Sequence, residues 1–149
     1  MNASMQDNVI DEGDRERLIE AAFAARNNAY SNKYHPTFRV GAALLSVGNV
    51  IVKGASVDGV SSGAICAERS AVVSAVSEGI TSFLAIAIVS DVAFPITPCG
   101  LCRQVLREFC SPRMPCLLVP ADYVLRMQTG DQSGGVEVLA FGELLPTTD

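Results

Sequence analysis

The sequence predicts an α/β domain, a three-layer α/β/α sandwich on a mixed sheet of about five strands. Three observations carry this expectation. Two short apolar runs, 83–90 and 115–119, have the length and content of strands buried on both faces. Segments with helical periodicity alternate with them, as they do where helices cover a sheet. Two β-rich stretches joined by Gly48-Asn49 add an antiparallel hairpin, so parallel and antiparallel neighbours share one sheet.

Residues 1–13 lack periodicity and read as a loose tail, leaving 14–149 as a single domain without linker or internal repeat. From Asp14, a plausible N-cap, Leu18, Ile19, Ala22, Phe23 and Ala25 fall mainly on one helical face. Asn, Ser and Pro36 break that helix into a loop over 27–37. Strands follow over 38–47 and 50–55, then an irregular Gly/Ser-rich stretch over 56–64. A helix over 66–78 buries Ala71, Val72, Ala75 and Val76 and is capped by Gly79. After the apolar strand 83–90 and a two-proline loop, a helix over 99–109 turns Val105, Leu106 and Phe109 inward. Strands over 115–119 and 136–141 complete the sheet.

With 149 residues, 49% of them apolar, a mean hydropathy of +0.30 and no Trp, the core must be mostly aliphatic. A chain this small and apolar is expected to bury part of its surface in a homo-oligomer. The net charge of −5 argues against a nucleic-acid polymer or an anionic membrane surface, since both need basic patches. No apolar run approaches the length of a membrane span, and the polar, acidic N-terminus does not read as a secretory or transit segment. Five cysteines without an export signal favour metal binding or buried thiols over a disulfide framework, and the expected location is cytoplasmic.

The chemistry concentrates in Cys66-Ala67-Glu68-Arg69 and Pro98-Cys99-Gly100-Leu101-Cys102-Arg103-Gln104. Both stretches sit where a loop enters a helix, and thiolates are favoured at that positive end. If the two helix starts converge, Cys66, Cys99 and Cys102 supply three of the four tetrahedral positions of a zinc ion, and the open fourth position marks a catalytic site. Glu68, two residues after Cys66, does not share its helix face and fits beside the open position as a proton acceptor. Arg69 and Arg103 follow the ligands closely enough to offset the excess thiolate charge by hydrogen bonding. Taken singly, Cys-x-x-Cys also fits a redox pair or half a zinc ribbon, and Cys-Ala-Glu-Arg fits an ordinary helix start.

Together, and in register with Phe38-Arg39-Val40-Gly41-Ala42-Ala43-Leu44 and Glu143-Leu144-Leu145-Pro146, these motifs resemble the cytidine deaminases, small homo-oligomeric zinc enzymes. The resemblance runs from about Ala24 to Pro146. It implies Zn2+ held by Cys66, Cys99 and Cys102, with Glu68 as the catalytic proton shuttle. It further implies hydrolytic deamination of cytidine or deoxycytidine with release of ammonia, a place in pyrimidine salvage, and a tetramer, with a dimer as the alternative. Ala67, Thr97 and Pro98 would contact the pyrimidine edge, and Phe38 would pack against the base.

The family's ribose-binding Asn-x-Glu is here Ser56-Val57-Asp58, which keeps hydrogen-bonding ability but shortens the reach. The loop 59–65 is about one residue shorter than the family pattern and lacks its tyrosine, and the segment 30–37 is roughly two residues longer. The chain ends Thr147-Thr148-Asp149 without the aromatic that often follows Leu-Leu-Pro. All of these changes surround the sugar side. They keep open a modified cytosine nucleoside of the blasticidin S type as substrate, and a non-catalytic zinc- and nucleoside-binding protein as a reading from another class. Cys110 and Cys116 are expected to be buried thiols, and His35 a surface residue.

Overall fold

The computed structural model describes residues 10–31, 38–59, 64–98 and 100–144. Its first helix, α1 (Glu12–Asn27), starts earlier than the sequence pattern predicts, because Asp11 and not Asp14 is the N-cap. The Asp11 carboxylate accepts the Asp14 N–H at 2.7 Å, satisfying one of the unpaired donors of the first turn. A short strand β1 (Tyr30–Ser31) follows, within a stretch expected to be loop.

The hairpin strands are β2 (Gly41–Ser46) and β3 (Ile51–Ala55). The expected strand 38–47 is thus shorter at its start, because backbone donors there are taken by side chains. The Arg39 N–H goes to the Asp91 carboxylate at 2.8 Å and the Val40 N–H to Ser56 Oγ at 3.0 Å. The turn is a three-residue loop over 47–49 instead of the predicted two-residue one. The Ser46 N–H donates to the Val50 carbonyl and the Asn49 N–H to the Ser46 carbonyl, and Asn49 takes φ +67°, which asparagine tolerates.

Strand β4 (Val57–Asp58), inside the stretch expected to be irregular, pairs in parallel with β1. Helix α2 (Ala67–Ser77) has Cys66 at its N-cap and Gly79, at φ +81°, just beyond its end. Ala71, Val72 and Ala75 are buried as expected, whereas Val76 lies on the open face and is 41% exposed. Strand β5 (Phe83–Val89) is buried at every position except Leu84. Helix α3 (Gly100–Phe109) buries Leu106 and half-buries Val105 and Phe109. Strand β6 (Pro115–Val119) lies where the apolar run predicts it. The six-residue helix α4 (Tyr123–Gln128) is not anticipated. Strand β7 (Glu137–Ala140) and a 3-10 turn (Phe141–Leu144) end the described chain.

The main sheet runs β3-β2-β5-β6-β7, with β5 and β6 parallel and the other neighbours antiparallel. Alternation along the strands splits the core between its two faces. Ala43, Leu45, Ala85, Ala87, Leu117 and Val119 pack under α1 and Tyr123 of α4. Ala42, Leu44, Ile86, Ile88, Cys116 and Leu118 pack under α2, α3 and Phe141. The observed architecture is therefore the three-layer sandwich with a mixed five-stranded sheet.

Two glycines of the hairpin let the helices come this close. A Cβ at Gly41 would lie 2.1 Å from the Ala22 carbonyl oxygen of α1, and one at Gly54 would lie 2.2 Å from the Ala71 nitrogen of α2. Among the described residues, no helix is long and apolar enough to cross a membrane.

Candidate active site

The ends of the strands deliver the two cysteine stretches to one place. The chain after β3 returns through β4 to α2, the chain after β5 runs through 91–98 to α3, and the two helices pack against each other. Cys66 stands in extended backbone at the N-cap of α2, Glu68 is buried in the first turn of that helix, and Cys102 is fully buried in the first turn of α3. The two sulfur atoms and a Glu68 carboxylate oxygen all lie within 4.8 Å of one another. Cys99 lies outside the described residues.

This donor set fits a zinc ion. Two thiolates sharing a tetrahedral zinc at ~2.3 Å stand about 3.8 Å apart, inside the 4.8 Å that bounds the cluster. Arg69 supplies the countercharge, its Nη2 donating to Cys66 Sγ at 3.8 Å. That hydrogen bond, partly opposed by burial and aided by Cys102, raises the Arg69 pKa further and holds the guanidinium charged. The Arg69 Nε is buried without a hydrogen-bond partner among the described residues. Arg103, the second arginine singled out by the sequence, donates from Nη1 to the Leu144 carbonyl at 2.5 Å and so ties α3 to the 3-10 turn.

Burial pushes the Glu68 carboxyl above the usual carboxylate range, against hydrogen bonds from Cys102 and its own backbone and the charge of Arg69. A carboxyl raised by burial parts with a proton less readily than a free one, which suits it to carrying a proton between two groups.

Glu68, Cys66 and Arg69 line a cavity of about 320 Å³, the lower end of the range for small-molecule sites. Four of the sequence-predicted binding residues, Phe38, Ser56, Asp58 and Thr97, line the same cavity. Ala67 and Pro98 are buried beside it and do not line it. Val40, Ile65 and Ile96 form apolar walls that sequence reasoning missed, because the segments bearing them converge only in the fold. Ser56 is buried and its Oγ is occupied as an acceptor by the Val40 N–H, while Asp58 is half-buried. The lengthened segment 32–37 with His35, most of the shortened loop (60–63) and the tail 145–149 lie outside the described residues. Cys110 and Cys116 are buried away from this cavity, and desolvation pushes both thiols up to about 12.

A comparison with protein families matches residues 12–118 to the cytidine and deoxycytidylate deaminase zinc-binding region. The chain belongs to the cytidine deaminase family. The cytidine deaminase of Halalkalibacterium halodurans is 40% identical over 134 residues, covering 89% of this chain and 92% of that one. The cytidine deaminase of Sporosarcina psychrophila is 39% identical over 134 residues, covering 89% of each chain. The crystal structure of cytidine deaminase from Burkholderia pseudomallei superposes with a TM-score of 0.73 at 39% identity, covering 90% of this chain and 98% of that one. Zinc is the metal of this family's matched region, and Cys66, Glu68, Cys99 and Cys102 all fall inside it. The match begins with α1 and ends within β6, so α4, β7 and the 3-10 turn lie beyond it.

Proposed function

We propose that the protein is a zinc-dependent cytidine deaminase, in which water replaces the amino group of cytidine or deoxycytidine to give the uridine product and ammonia. The observation that carries this reading is the cluster of half-buried Cys66 with buried Glu68 and Cys102 at the end of a nucleoside-sized cavity. Cys66, Cys99 and Cys102 would hold the zinc. When bound, it supplies a Lewis acid that makes water nucleophilic at neutral pH.

Glu68 moves the protons. Its carboxylate takes one from the attacking water and delivers it to the ring nitrogen beside the amino-bearing carbon, then carries the second to the departing amine. Its raised pKa suits both directions of transfer. General acid–base work of this kind is worth about 10²–10⁴-fold in rate. Phe38, Val40 and Ile96 give the base an apolar slot, Thr97 offers hydrogen bonding at its edge, and Ser56 with Asp58 faces the sugar. The lack of charged lining other than Asp58, Glu68 and the committed Arg69 favours an uncharged nucleoside among the described residues.

One observation favours a second substrate. Ser56 Oγ already accepts the Val40 N–H, which leaves it one lone pair and its own proton for a ligand, and Ser56 and Asp58 are both short side chains, which supports a modified nucleoside of the blasticidin S type. Ammonia release across a panel of cytosine nucleosides tests both readings. Turnover of cytidine and deoxycytidine is expected, and failure on both with activity on the antibiotic overturns the first.

A homo-oligomer, with a tetramer as the first expectation, is supported by the exposed Val50, Val73 and Val76 flanking edge strand β3. Sedimentation at micromolar concentration tests it, and a monomer there refutes it. Buried Cys110 and Cys116 thiols support a reducing, cytoplasmic setting.

A further inference from the structure

We propose that Asp91 is a positioning residue for the substrate cavity, its carboxylate tying segment 38–40 to the head of the 91–98 loop so that two cavity walls keep their register. Phe38 and Val40 form one of those walls, and Ile96 and Thr97 form another. They reach the cavity from different segments, neither of which is a regular strand or helix where it meets the other. Asp91 is where the two are joined.

The join consists of three hydrogen bonds from one residue. Asp91 Oδ2 accepts the Arg39 backbone N–H at 2.8 Å and Arg39 Nε at 3.2 Å, and Oδ1 accepts Arg39 Nη2 at 2.9 Å. An ordinary surface ion pair fixes two flexible side chains and little else. Here the backbone donor of Arg39 is included, so the carboxylate constrains the main chain between Phe38 and Val40 directly.

Both ends of the tether are anchored. On the loop side, Arg26 of α1 donates to the Ser90 carbonyl at 3.1 Å, with its Nε 3.9 Å from Asp91 Oδ1. The Val92 N–H goes to Ser90 Oγ at 3.2 Å, and the Val92 carbonyl accepts the Ala121 N–H at 2.8 Å. Arg126 of α4 reaches the Ala93 carbonyl at 3.2 Å. On the other side, Val40 is secured to Ser56 through its N–H and its carbonyl. Among the described residues, Phe38, one residue further out, accepts a long hydrogen bond at its carbonyl from Ser31 Oγ at 3.5 Å. The Arg39–Asp91 bonds hold the residue next to it and so bear directly on its place in the cavity wall.

A wall that touches substrate alike before and during the reaction contributes uniform binding, and loosening it raises KM with little change in kcat. The test compares Asp91→Ala, and Arg39→Ala as a milder variant that keeps the backbone bond, with the parent. The readouts are steady-state kinetics on cytidine, zinc content, and amide exchange of 38–41. Asp91→Ala should raise KM about tenfold, roughly half on a free-energy scale of what a ~1 Å misplacement can cost. Its kcat should stay within about threefold, its zinc content should be unchanged, and exchange at 38–41 should quicken while β6 stays protected. Arg39→Ala should shift KM less.

Parental KM and exchange in Asp91→Ala overturn the proposal. So does a joint loss of zinc, kcat and β6 protection, which would mark Asp91 as a general stability residue. The proposal rests on this cavity being the nucleoside site, and the two fail separately. A parent inert toward every cytosine nucleoside refutes that reading, whereas an active parent whose Asp91 variant keeps its KM refutes only the tether.

Discussion

Adding one methyl group at Gly54 should damage the active site through the helix that carries Glu68. The new Cβ would lie 2.2 Å from the Ala71 nitrogen, 2.4 Å from the Ala67 carbonyl oxygen and 2.7 Å from the Ala71 Cα. All three atoms belong to the α2 backbone, so no side chain can turn aside. Restoring ordinary van der Waals contact at 3.4 Å means moving the first two turns of α2 by about 1.2 Å. Overpacking of this kind costs roughly 1–3 kcal/mol or more. Removing glycine freedom from the unfolded chain returns about 0.5–1 kcal/mol at most. A net loss of ~2 kcal/mol lowers Tm by about 4–8 °C for a chain of this size.

The same displacement moves Cys66 and Glu68, which sit at the start of α2, and ~1 Å of misplacement can cost as much as 10²-fold in turnover. Gly41→Ala is the control, since it presses the backbone of α1 at Ala22 and Arg26, on the other face of the sheet from the cysteine cluster. Thermal unfolding with ammonia-release kinetics on both variants, at a temperature where each is folded, should show similar Tm losses and a much larger fall in kcat for Gly54→Ala. A parental Tm for Gly54→Ala, or equal kcat losses in the two variants, would refute the reasoning.

Other consequences can be checked together. Cys102→Ala removes a fully buried member of the cluster and should lower bound zinc, by metal analysis, from about one per chain to near none. Cys110 and Cys116, held near 12 by burial, should resist alkylation at pH 8 in the native protein and react only after denaturation, as mass spectrometry would show. Burial pushes the Asp91 carboxyl up, but hydrogen bonds and charge from Arg39, with the charge of Arg26, outweigh it and hold the group below the usual range. A carboxyl lowered in the folded state stabilises above its unfolded pKa and loses that contribution as pH falls through the folded value. The unfolding free energy of Asp91→Asn from urea titration should therefore trail the parent's by about 1–2 kcal/mol at pH 7, and the gap should close on acidification below pH ~4. A gap that widens in acid contradicts the assigned sign.

Much of the fold is legible because its signals are local. β5 and β6 are short apolar runs between polar or Pro-containing segments, and the hairpin is marked by Gly48-Asn49. The parts that are not legible have distant causes. Residues 38–40 carry a strand-like pattern, yet the Arg39 amide bonds to Asp91, far along the chain, so β2 begins only at Gly41. Helix α4 gives no periodic face, since Val124 and Leu125 are exposed and Tyr123 alone is buried. Asp11 and Asp14 are both credible caps, and only the geometry chooses Asp11. The same division holds at the site. Cys66, Glu68 and Cys102 declare themselves by residue type at the starts of two helices. Val40, Ile65 and Ile96 are ordinary aliphatic residues until the loops bring them together around the cavity.

In the proposed reaction Glu68 moves protons in a zinc-dependent deamination without holding the metal itself. Measuring bound zinc and ammonia release from cytidine on one preparation of Glu68→Gln tests it most directly. About one zinc per chain is expected, as in the parent, with turnover reduced at least 10²-fold. Near-normal turnover with zinc retained would contradict the shuttle, and loss of zinc would mean that Glu68 helps hold the metal.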